Sequence, residues 1–483
     1  MLIEDKSRIE EQYSAWLSDE SRTGPGRAEA LLLPETLEEA AGYLKNHTGP
    51  VTISGGRSGI TGGAVPCGGT LLSTTGLKSI EGPFERDGKQ LVRVGAGVTL
   101  SDLKAHLQNS RLFYPPDPTE ESAGIGGTIA TNASGARSYK YGATREHVAS
   151  LELVTVQGDI LRLERGRTPV TAGCFVLPDG TSRLAPAYAM PSAKTAAGYY
   201  SRPDMDLIDL IIGSEGTLAV VTGAELYLQP APQERMGLLI FFPSEKDAFT
   251  FAVESSDIDI ENLEYFDGAC LRLLQEEDRL PGSAGQAGAA IMLEQIMDGK
   301  DPETVCLQWE EILNKCGSSL DECLYRLDDA GIEQLRAIRH ALPEAVNNRV
   351  SANRLREPSV YKLGTDTSVP SHSSLKELIT VYRSRLTEIG VEHYIFGHLG
   401  EHHLHVNLLP SDASAMEISK PLVTEFAEEA VRHGGCVSAE HGIGRIKRHL
   451  LKVQYPDSVL EEMLKIKRDW DPEGRLNPGV LFD

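Results

Sequence analysis

Short apolar runs bounded by glycine alternate with polar residues through the first half of the chain. The runs in QLVRVGAGVTL and SLELVTVQGDILRLE have the length and the β-branched content of strands. Two segments, TLEEAAGYLKNH and TLSDLKAHLQNS, instead have apolar positions at helical spacing, and each opens with a threonine suited to cap a helix. This pattern predicts an α+β domain over residues 31–232, preceded by a charged amphipathic helix within residues 1–30.

The pattern changes near residue 233, where longer amphipathic segments begin to alternate with apolar strands. The predicted helices are PETVCLQWEEILNKCG, AGIEQLRAIRHALPEAVNN, SSLKELITVYRSRLTEIG and EISKPLVTEFAEEAVRHGG, and the predicted strands include MGLLIFFPS, AAIMLEQI and HLHVNLLP. We therefore predict a second domain over residues 233–430. Residues 431–483 return to a glycine-rich, turn-rich pattern, and we expect them to pack back on the first domain.

The chain is acidic, with 47 lysines and arginines against 70 aspartates and glutamates, a formal net charge of −23. Nucleic acids and anionic membranes are bound through clustered lysine and arginine, so this charge argues against both as partners. No apolar run approaches the roughly 20 residues that span a bilayer, and the N-terminus has no signal-peptide core. We expect a cytoplasmic protein without a transmembrane segment.

Three glycine-rich stretches of the first domain predict a groove lined by backbone. ISGGRSGITGGAVP places five glycines directly after an apolar strand, where backbone N–H groups can approach a phosphate closely. A tight crossing from strand to loop is the alternative for this stretch alone. The first stretch fits neither of the common nucleotide fingerprints. PPDPTEESAGIGGTIATNASGARSYKYG and DLIDLIIGSEGTLAVVTGAEL are glycine-containing stretches of the same kind. Together they indicate a groove for a long ligand.

Four of the 13 histidines lie in the stretch YIFGHLGEHHLHVNLLP. Strand alternation places His403, His405 and Asn407 on one face and His402 on the other. LGEH has the composition of a hairpin turn, so we expect His398 to oppose His405 across adjacent strands, close enough to share a metal ion. For His402 and His403 a hydrogen-bonded core position is the favoured interpretation.

Glu440, in SAEHGIG, is the candidate third ligand for such an ion. Adjacent side chains diverge, so Glu440 can bind the metal while its neighbour His441 points elsewhere. Two histidines and one carboxylate with open positions suit a divalent ion such as Zn, Mn or Fe.

Six motifs, in this order along the chain, resemble those of the FAD-linked 2-hydroxy-acid dehydrogenases. They are GGRSGITGGAVP, GGTIATNASGARSYKYG, IGSEGTLAVVT, FGHLGEHHLHVN, SAEHGIGRIKR and LNPG. The family has the vanillyl-alcohol-oxidase-type (PCMH-type) fold and includes enzymes for D-lactate, D-2-hydroxyglutarate and glycolate. The resemblance implies an α+β fold, in which a two-lobed FAD-binding domain is joined to an α+β cap domain whose antiparallel sheet covers the isoalloxazine.

The resemblance also implies which residues hold FAD. The first loop would bind the pyrophosphate, the second would line the flavin, and Glu215 and Gly216 would lie near the adenosine or ribityl portion. Some members attach the flavin to a histidine of the first loop; this loop has none, so FAD should be noncovalent. The implied FAD-binding residues are Ser54, Gly55, Gly56, Arg57, Ser58, Gly59, Thr61, Gly62, Gly127, Thr131, Asn132, Tyr141, Gly142, Glu215, Gly216 and Asn477.

His398, His405 and Glu440 match the metal ligands of the metal-dependent members. The family usually has Gly-Asp-Gly-Asn between the two ligand histidines, whereas residues 400–403 of this chain are Gly-Glu-His-His. The added bulk and imidazoles would narrow the substrate entrance or add a ligand. Metal identity and substrate size therefore stay open.

The implied reaction is oxidation of a 2-hydroxy acid such as D-lactate to the 2-oxo acid. Flavin N5 would take the hydride, the metal would chelate the α-hydroxyl and the carboxylate, and His441 would be the general base. Arg339 and Lys362 match positions that bind the substrate carboxylate, and Asn407 would donate a hydrogen bond to substrate. Pro343 should kink the helix that carries Arg339. Relatives of the D-2-hydroxyglutarate type have a hydroxyl residue at this position, so Pro343 argues against D-2-hydroxyglutarate as the substrate.

Three other classes of flavoprotein are alternatives. They are a redox-neutral flavoenzyme like alkyl-dihydroxyacetone-phosphate synthase, an electron-transfer subunit without catalysis, and an oxidase that uses oxygen. The electron acceptor of a dehydrogenase would be a quinone, a cytochrome or another flavoprotein, and contact with that acceptor is the expected route to a membrane surface. The sequence determines neither the chain length of the substrate nor whether the protein forms a homodimer.

Overall fold

The computed structural model describes residues 1–280 and 284–482. Up to residue 232 its helices are α1 (Lys6–Gln12), α2 (Leu37–Asn46), α3 (Leu100–Leu107), α4 (Ile125–Thr131), α5 (Ser138–Tyr141) and α6 (Leu207–Ile211). The strands of the same part are β1 (Leu2–Ile3), β2 (Ala30–Leu32), β3 (Val51–Ser54), β4 (Thr70–Ser73), β5 (Ile80–Arg86), β6 (Lys89–Gly95), β7 (Leu112–Phe113), β8 (Val148–Val154), β9 (Ile160–Glu164), β10 (Cys174–Val176), β11 (Ser182–Leu184), β12 (Val220–Tyr227) and β13 (Gln229–Pro230).

These strands build two lobes. One lobe contains the sheet β1-β2-β4-β3, in which β2, β4 and β3 run parallel. The other contains the antiparallel sheet β5-β6-β12-β8-β9. The predicted helices of this part form as α2 and α3, because Thr36 and Thr99 each accept a hydrogen bond from the first helical turn.

The N-terminal helix is shorter than predicted. Residues Leu2–Ile3 form an edge strand against β2, and the helix begins only at Lys6, where the Asp5 side chain accepts from Arg8 N. Ile3 is buried in this pairing, so its apolar side chain serves a strand instead of a helix. The segment is thereby part of the first sheet.

Beyond residue 232 the described helices are α7 (Glu245–Glu254), α8 (Gly268–Glu276), α9 (Pro302–Lys315), α10 (Asp329–Arg356), α11 (His372–Ile389), α12 (Ala413–Arg432), α13 (Arg448–Gln454) and α14 (Asp457–Trp470). The strands are β14 (Arg235–Phe242), β15 (Ile260–Asp267), β16 (Ala289–Ile296), β17 (Leu324–Arg326), β18 (Leu363–Gly364), β19 (His393–His398) and β20 (His403–Leu408). Helix α10 continues through Pro343, so the proline does not end it.

The strands β14 to β20 form one antiparallel sheet with the order β17-β14-β16-β15-β19-β20-β18. Helices cover both of its faces, with α7, α9, α11 and α12 on one side and α8 and α10 on the other. Alternate residues of β14 consequently enter different cores, as Leu238 and Leu239 do. Burial on both faces explains why β14 and β16 are apolar along most of their length.

The last part of the chain returns to the first lobe. Leu476 forms a parallel bridge with Val51 of β3, and Asn477 N donates to Val51 O at 2.8 Å. Helices α13 and α14 share an apolar core with β8 and β12. These contacts support domain boundaries near residues 232 and 430, which we retain as a proposal. Among the described residues no helix is both long and apolar enough to cross a membrane.

Candidate active site

A cleft of about 350 Å³ joins the glycine loops to the histidine strands. Residues of all three predicted loops line it, and His398, Glu440 and His441 line it too. The FAD-binding residues predicted from the sequence that lie on its wall are Gly55, Gly56, Arg57, Ser58, Gly59, Thr61, Gly127, Thr131, Glu215, Gly216 and Asn477. The fold therefore brings together two sets of residues that are far apart in the sequence.

The first loop leaves β3 through Gly55 and Gly56 and exposes polar groups to the cleft. A Cβ on Gly56 would lie 2.8 Å from Ser122 O, so the close packing of this loop on the second one requires glycine. Arg57 adopts a positive φ of 62°, and its guanidinium lies 4.7 Å from the centre of the Trp16 ring. Ser54 Oγ and Arg57 Nη1 are buried and have no hydrogen-bond partner within the described chain, which suits a site for an anionic group.

Four predicted FAD-binding residues lie outside the cleft wall besides Ser54. Gly62, with a φ of 74°, packs near Ser21 and Thr23 of the N-terminal segment. Asn132 ends α4 in the left-handed region and accepts from Arg145 N, while Gly142 ends α5. Tyr141 Oη donates to Glu261 Oε1 at 2.9 Å. Asn132, Tyr141 and Gly142 therefore shape the second loop and Gly62 the first, and contact of these four residues with the flavin stays a prediction.

Glu215 and Asn477 tie three segments together beside the cleft. The Glu215 carboxylate accepts from Ile443 N and Gly444 N, each at 2.7 Å, and so holds the loop that follows His441. Asn477 Oδ1 accepts from Ile53 N, and its Nδ2 donates to Glu215 O, both at 2.6 Å. Burial raises the pKa of Glu215 to about 7, although the two backbone donors favour the ionised form.

The two histidine strands pair in a different register from the one predicted. His398 lies opposite His403, and His405 lies opposite Phe396, so His398 and His405 are diagonal neighbours. The predicted turn forms as a short 3-10 turn over Leu399–Glu401. All three imidazoles still share one face of the sheet, since each pair of opposite residues points the same way.

The predicted metal ligands meet at Glu440. His398 Nε2 lies 3.2 Å from Glu440 Oε1, and His405 Nε2 lies 3.9 Å from Oε2. His398 Nδ1 is 2.6 Å from Glu264 Oε1, and His405 Nδ1 is 3.0 Å from the Thr365 carbonyl. Each ring thus has one nitrogen fixed by an acceptor and the other aimed at the carboxylate, as in protein metal sites. This donor set fits a divalent cation.

The charges of the cluster are strongly perturbed. Burial alone would lower the pKa of His398, but Glu264 and Glu440 outweigh it and raise that pKa to about 10. Burial would raise the pKa of Glu440, yet the neighbouring histidines and the Lys194 ammonium hold it well below its usual range. Burial and two adjacent imidazoles keep the pKa of His405 well below its usual range. Glu440 and His405 are therefore in the forms that bind metal, an ionised carboxylate and a neutral imidazole, whereas His398 would have to release a proton to a cation that binds there.

Two donors to Glu440 were missed by the sequence analysis. Lys194 Nζ lies 2.6 Å from Glu440 Oε1 and 2.5 Å from Glu401 Oε2. Ser134 Oγ donates to the same Glu440 oxygen at 2.9 Å. Ser134 falls inside the second glycine loop, but no motif marks Lys194, whose position follows only from the folded chain.

A third missed residue, Asp366, organises the loop of His441. Its Oδ2 lies 3.2 Å from His441 Nδ1 and 2.7 Å from Lys447 Nζ, and it accepts from Ser438 Oγ at 2.8 Å. Burial would raise the pKa of Asp366, but His441 and Lys447 hold it well below its usual range. Asp366 lies four residues after Lys362, in the stretch SVYKLGTD, and this proximity is the sequence signal that could have identified it.

The three residues proposed for substrate differ in their surroundings. Arg339 Nε donates to Glu264 Oε2 at 2.8 Å, so Arg339 stands behind His398. Asn407 Nδ2 is buried and has no hydrogen-bond partner among the described residues. Lys362 is exposed, and none of the hydrogen bonds or ion pairs found in residues 1–280 and 284–482 joins it to the cluster.

Comparison with known proteins relates this site to a family. The family described as FAD linked oxidases, C-terminal domain, matches residues 231–481, and the FAD binding domain family matches residues 28–164. A D-lactate dehydrogenase of Anaerostipes hadrus is 28% identical over 480 residues, which cover 95% of this chain and 90% of the relative. A mitochondrial D-2-hydroxyglutarate dehydrogenase of Rattus norvegicus is 27% identical over 486 residues, 99% of this chain and 82% of the relative.

A solved structure of an alkyldihydroxyacetonephosphate synthase covers 99% of this chain and 82% of its own, with a TM-score of 0.63 at 16% identity. That likeness concerns the fold alone, and it confirms the predicted α+β, PCMH-type architecture. The FAD binding domain match contains the first two glycine loops and the other match contains the histidine strands, while the third glycine loop lies between the two; both descriptions name FAD. The chain therefore belongs to the FAD-linked oxidases, as an FAD-dependent oxidoreductase of the D-lactate and D-2-hydroxyglutarate dehydrogenase family.

Proposed function

We propose that this protein oxidises a D-2-hydroxy acid, with D-lactate as the first candidate, to the corresponding 2-oxo acid. A divalent cation would assist, and the electrons would pass from FAD to a quinone, a cytochrome or another flavoprotein. The D configuration is supported by the names of the relatives, a D-lactate and a D-2-hydroxyglutarate dehydrogenase.

One observation carries the proposal: a single cleft has the glycine loops along its length and His398, Glu440 and His441 on its wall. A ligand that fills the loops would place its far end beside the candidate cation ligands. Oxidation of an α-hydroxyl needs these two components side by side, because a hydride and a proton leave the same carbon–oxygen unit.

The bound groups would supply the hydride acceptor, FAD, and a Lewis acid for the substrate oxygens, a divalent cation held by His398, His405 and Glu440. His441 would take the hydroxyl proton. Asp366 fixes its Nδ1, which leaves Nε2 as the ring nitrogen for proton transfer.

The substrate carboxylate needs donors that the protein does not already use. Asn407 is such a donor, since its buried Nδ2 lacks a partner in the described chain. Arg339 Nε already donates to Glu264, and we propose that the two terminal nitrogens of Arg339 form a second contact with the substrate carboxylate. Lys362 remains a proposed contact with weaker support, because it is exposed.

The test is anaerobic flavin reduction. The purified protein, with its flavin and metal contents measured, is mixed with D- and L-2-hydroxy acids while the visible flavin band is followed. We expect one D-acid to bleach the band, chelation to abolish the bleaching, and a divalent ion to restore it. His405→Ala should keep FAD and lose reduction, whereas His433→Asn, which removes an imidazole that pairs with Glu429 at the end of α12, should behave as wild type.

His441→Asn should keep its metal and lose turnover, which separates the base from the ligand beside it. Reduction at the wild-type rate by His405→Ala would overturn the metal role. Absence of bleaching by every 2-hydroxy acid, with FAD and metal both present, would overturn the proposed oxidation and favour redox-neutral chemistry.

A further inference from the structure

His403 is a buried histidine whose surroundings resemble those of the two ligand histidines. Its side chain is fully buried, with 0% exposure, and neither ring nitrogen makes a hydrogen bond of good geometry within the described chain. A buried imidazole whose two nitrogens lack well-formed hydrogen bonds costs stability, so a hydrogen-bonded core role does not account for it. The sequence alone had favoured that core role.

Each of its two ring nitrogens lies near a different carboxylate. Nε2 lies 3.1 Å from Asp366 Oδ1, and Nδ1 lies 3.7 Å from Glu440 Oε1. His398 has the same arrangement, with Glu264 behind and Glu440 in front. A carboxylate that fixes one nitrogen of an imidazole while the other faces a shared anion is the usual setting of a histidine ligand.

The cluster has room for all three rings around one ion. One ligand atom from each of His398, His403, His405 and Glu440 can be chosen so that all four lie within 4.8 Å of one another. The His403 and His405 ring centres are 4.4 Å apart. The neighbouring His402 takes no part, since it sits in the turn with a φ of 53° and its ring contacts His372.

We propose that His403 is a fourth protein ligand, so that the site is built from three imidazoles and one carboxylate. The proposal rests on the metal-assisted function above and specifies its cation. Four protein ligands and the two oxygens of a chelating 2-hydroxy acid make six, which suits an octahedral ion such as Fe²⁺, Mn²⁺ or Co²⁺ better than tetrahedral Zn²⁺.

The experiment is a metal titration of the FAD-loaded protein after chelation and dialysis. Co²⁺, Mn²⁺ and Zn²⁺ are added separately, with binding followed by calorimetry and the Co²⁺ ligand-field bands by absorption. The test variants are His403→Asn, which restores the residue type usual in the family, and His403→Gln. His402→Asn is the matched control one position away, and His405→Ala reports on the site itself.

We expect His403→Asn and His403→Gln to weaken Co²⁺ and Mn²⁺ binding by at least about 10-fold, to weaken Zn²⁺ binding less, and to alter the Co²⁺ bands. His402→Asn should change neither the affinity nor the bands. Flavin content and the melting temperature show that each variant is folded.

Two outcomes separate this inference from the function on which it rests. If His405→Ala loses the metal while both His403 variants match wild type in affinity and in Co²⁺ spectrum, His403 is not a ligand and the proposed function stands. If the wild-type protein binds none of the three ions, the metal role fails and this inference fails with it.

Discussion

Replacing Glu264 by glutamine tests whether the carboxylate behind His398 tunes the metal site. Glu264 Oε1 is 2.6 Å from His398 Nδ1, and its Oε2 accepts from Arg339 Nε. Losing a carboxylate that orients a ligand histidine lowers metal affinity by about 10- to 100-fold, or about 1.4–2.7 kcal/mol. We expect Glu264→Gln to bind a divalent ion that much more weakly and to retain FAD.

The substitution also breaks a buried ion pair, and that effect has to be subtracted. Glu264 is 3% and Arg339 15% exposed, and breaking such a pair costs about 3–5 kcal/mol. The same sheet offers a matched control in Glu294, 2% exposed, which pairs with Arg336 and contacts no histidine of the cluster. Glu294→Gln should lower the melting temperature similarly and leave metal affinity unchanged.

The assays are calorimetric metal titration and thermal unfolding followed by circular dichroism, applied to both variants and wild type. If both variants bind the ion as tightly as wild type does, the role given to Glu264 is refuted. If both bind it more weakly by the same factor, the stability of the sheet, and not the carboxylate at His398, governs metal affinity.

Three further results are expected. Burial raises the pKa of Glu215 from its ordinary value of 4.5 to about 7, so its side chain stays neutral over a wider pH range in the folded protein. The stability that this shift contributes, about 3 kcal/mol, is fully present below pH 4.5 and is lost as pH rises through 7. The free energy of unfolding of the FAD-free protein should therefore decrease less steeply between pH 4.5 and 7 in Glu215→Gln than in wild type. Identical pH profiles for the two proteins would contradict this. Trp16→Ala removes the ring beneath Arg57 and should weaken FAD binding roughly 2- to 30-fold in a fluorescence titration; an unchanged Kd would argue against a role for the stack. Lys194→Met removes an ammonium that competes for the Glu440 oxygen, so calorimetry should show tighter binding of a divalent ion, and weaker binding would count against the competition.

Local sequence patterns predicted much of this fold. The apolar run of MGLLIFFPS, the threonine cap and helical spacing of TLSDLKAHLQNS, and the glycines of the loops are each visible within a few residues of sequence. The N-terminal helix begins later than predicted because Ile3 pairs in a strand with Leu31, a partner that the local pattern does not contain. The histidine register failed because a 3-10 turn sets which residues of β19 and β20 face each other.

Residues that act across strands could not be predicted in this way. Glu264 reaches His398 because β15 pairs with β19, although 134 positions separate the two residues. Lys194 reaches Glu440 across 246 positions. Such neighbours depend on the order of strands in a sheet and on how the domains meet, and neither leaves a periodic trace in the sequence. That His398, His405 and Glu440 lie together could be predicted because each falls in a short motif.

The bridge between Leu476 and Val51 has a consequence for the order in which the protein can mature. Asn477 Oδ1 accepts from the Ile53 amide across 424 positions, so the strand that opens onto the first glycine loop is completed by residues synthesised hundreds of positions later. During synthesis the loop therefore emerges hundreds of residues before its support. Contacts of such long range close slowly, and cofactor loading should be a late event that follows the synthesis and docking of Leu476 and Asn477.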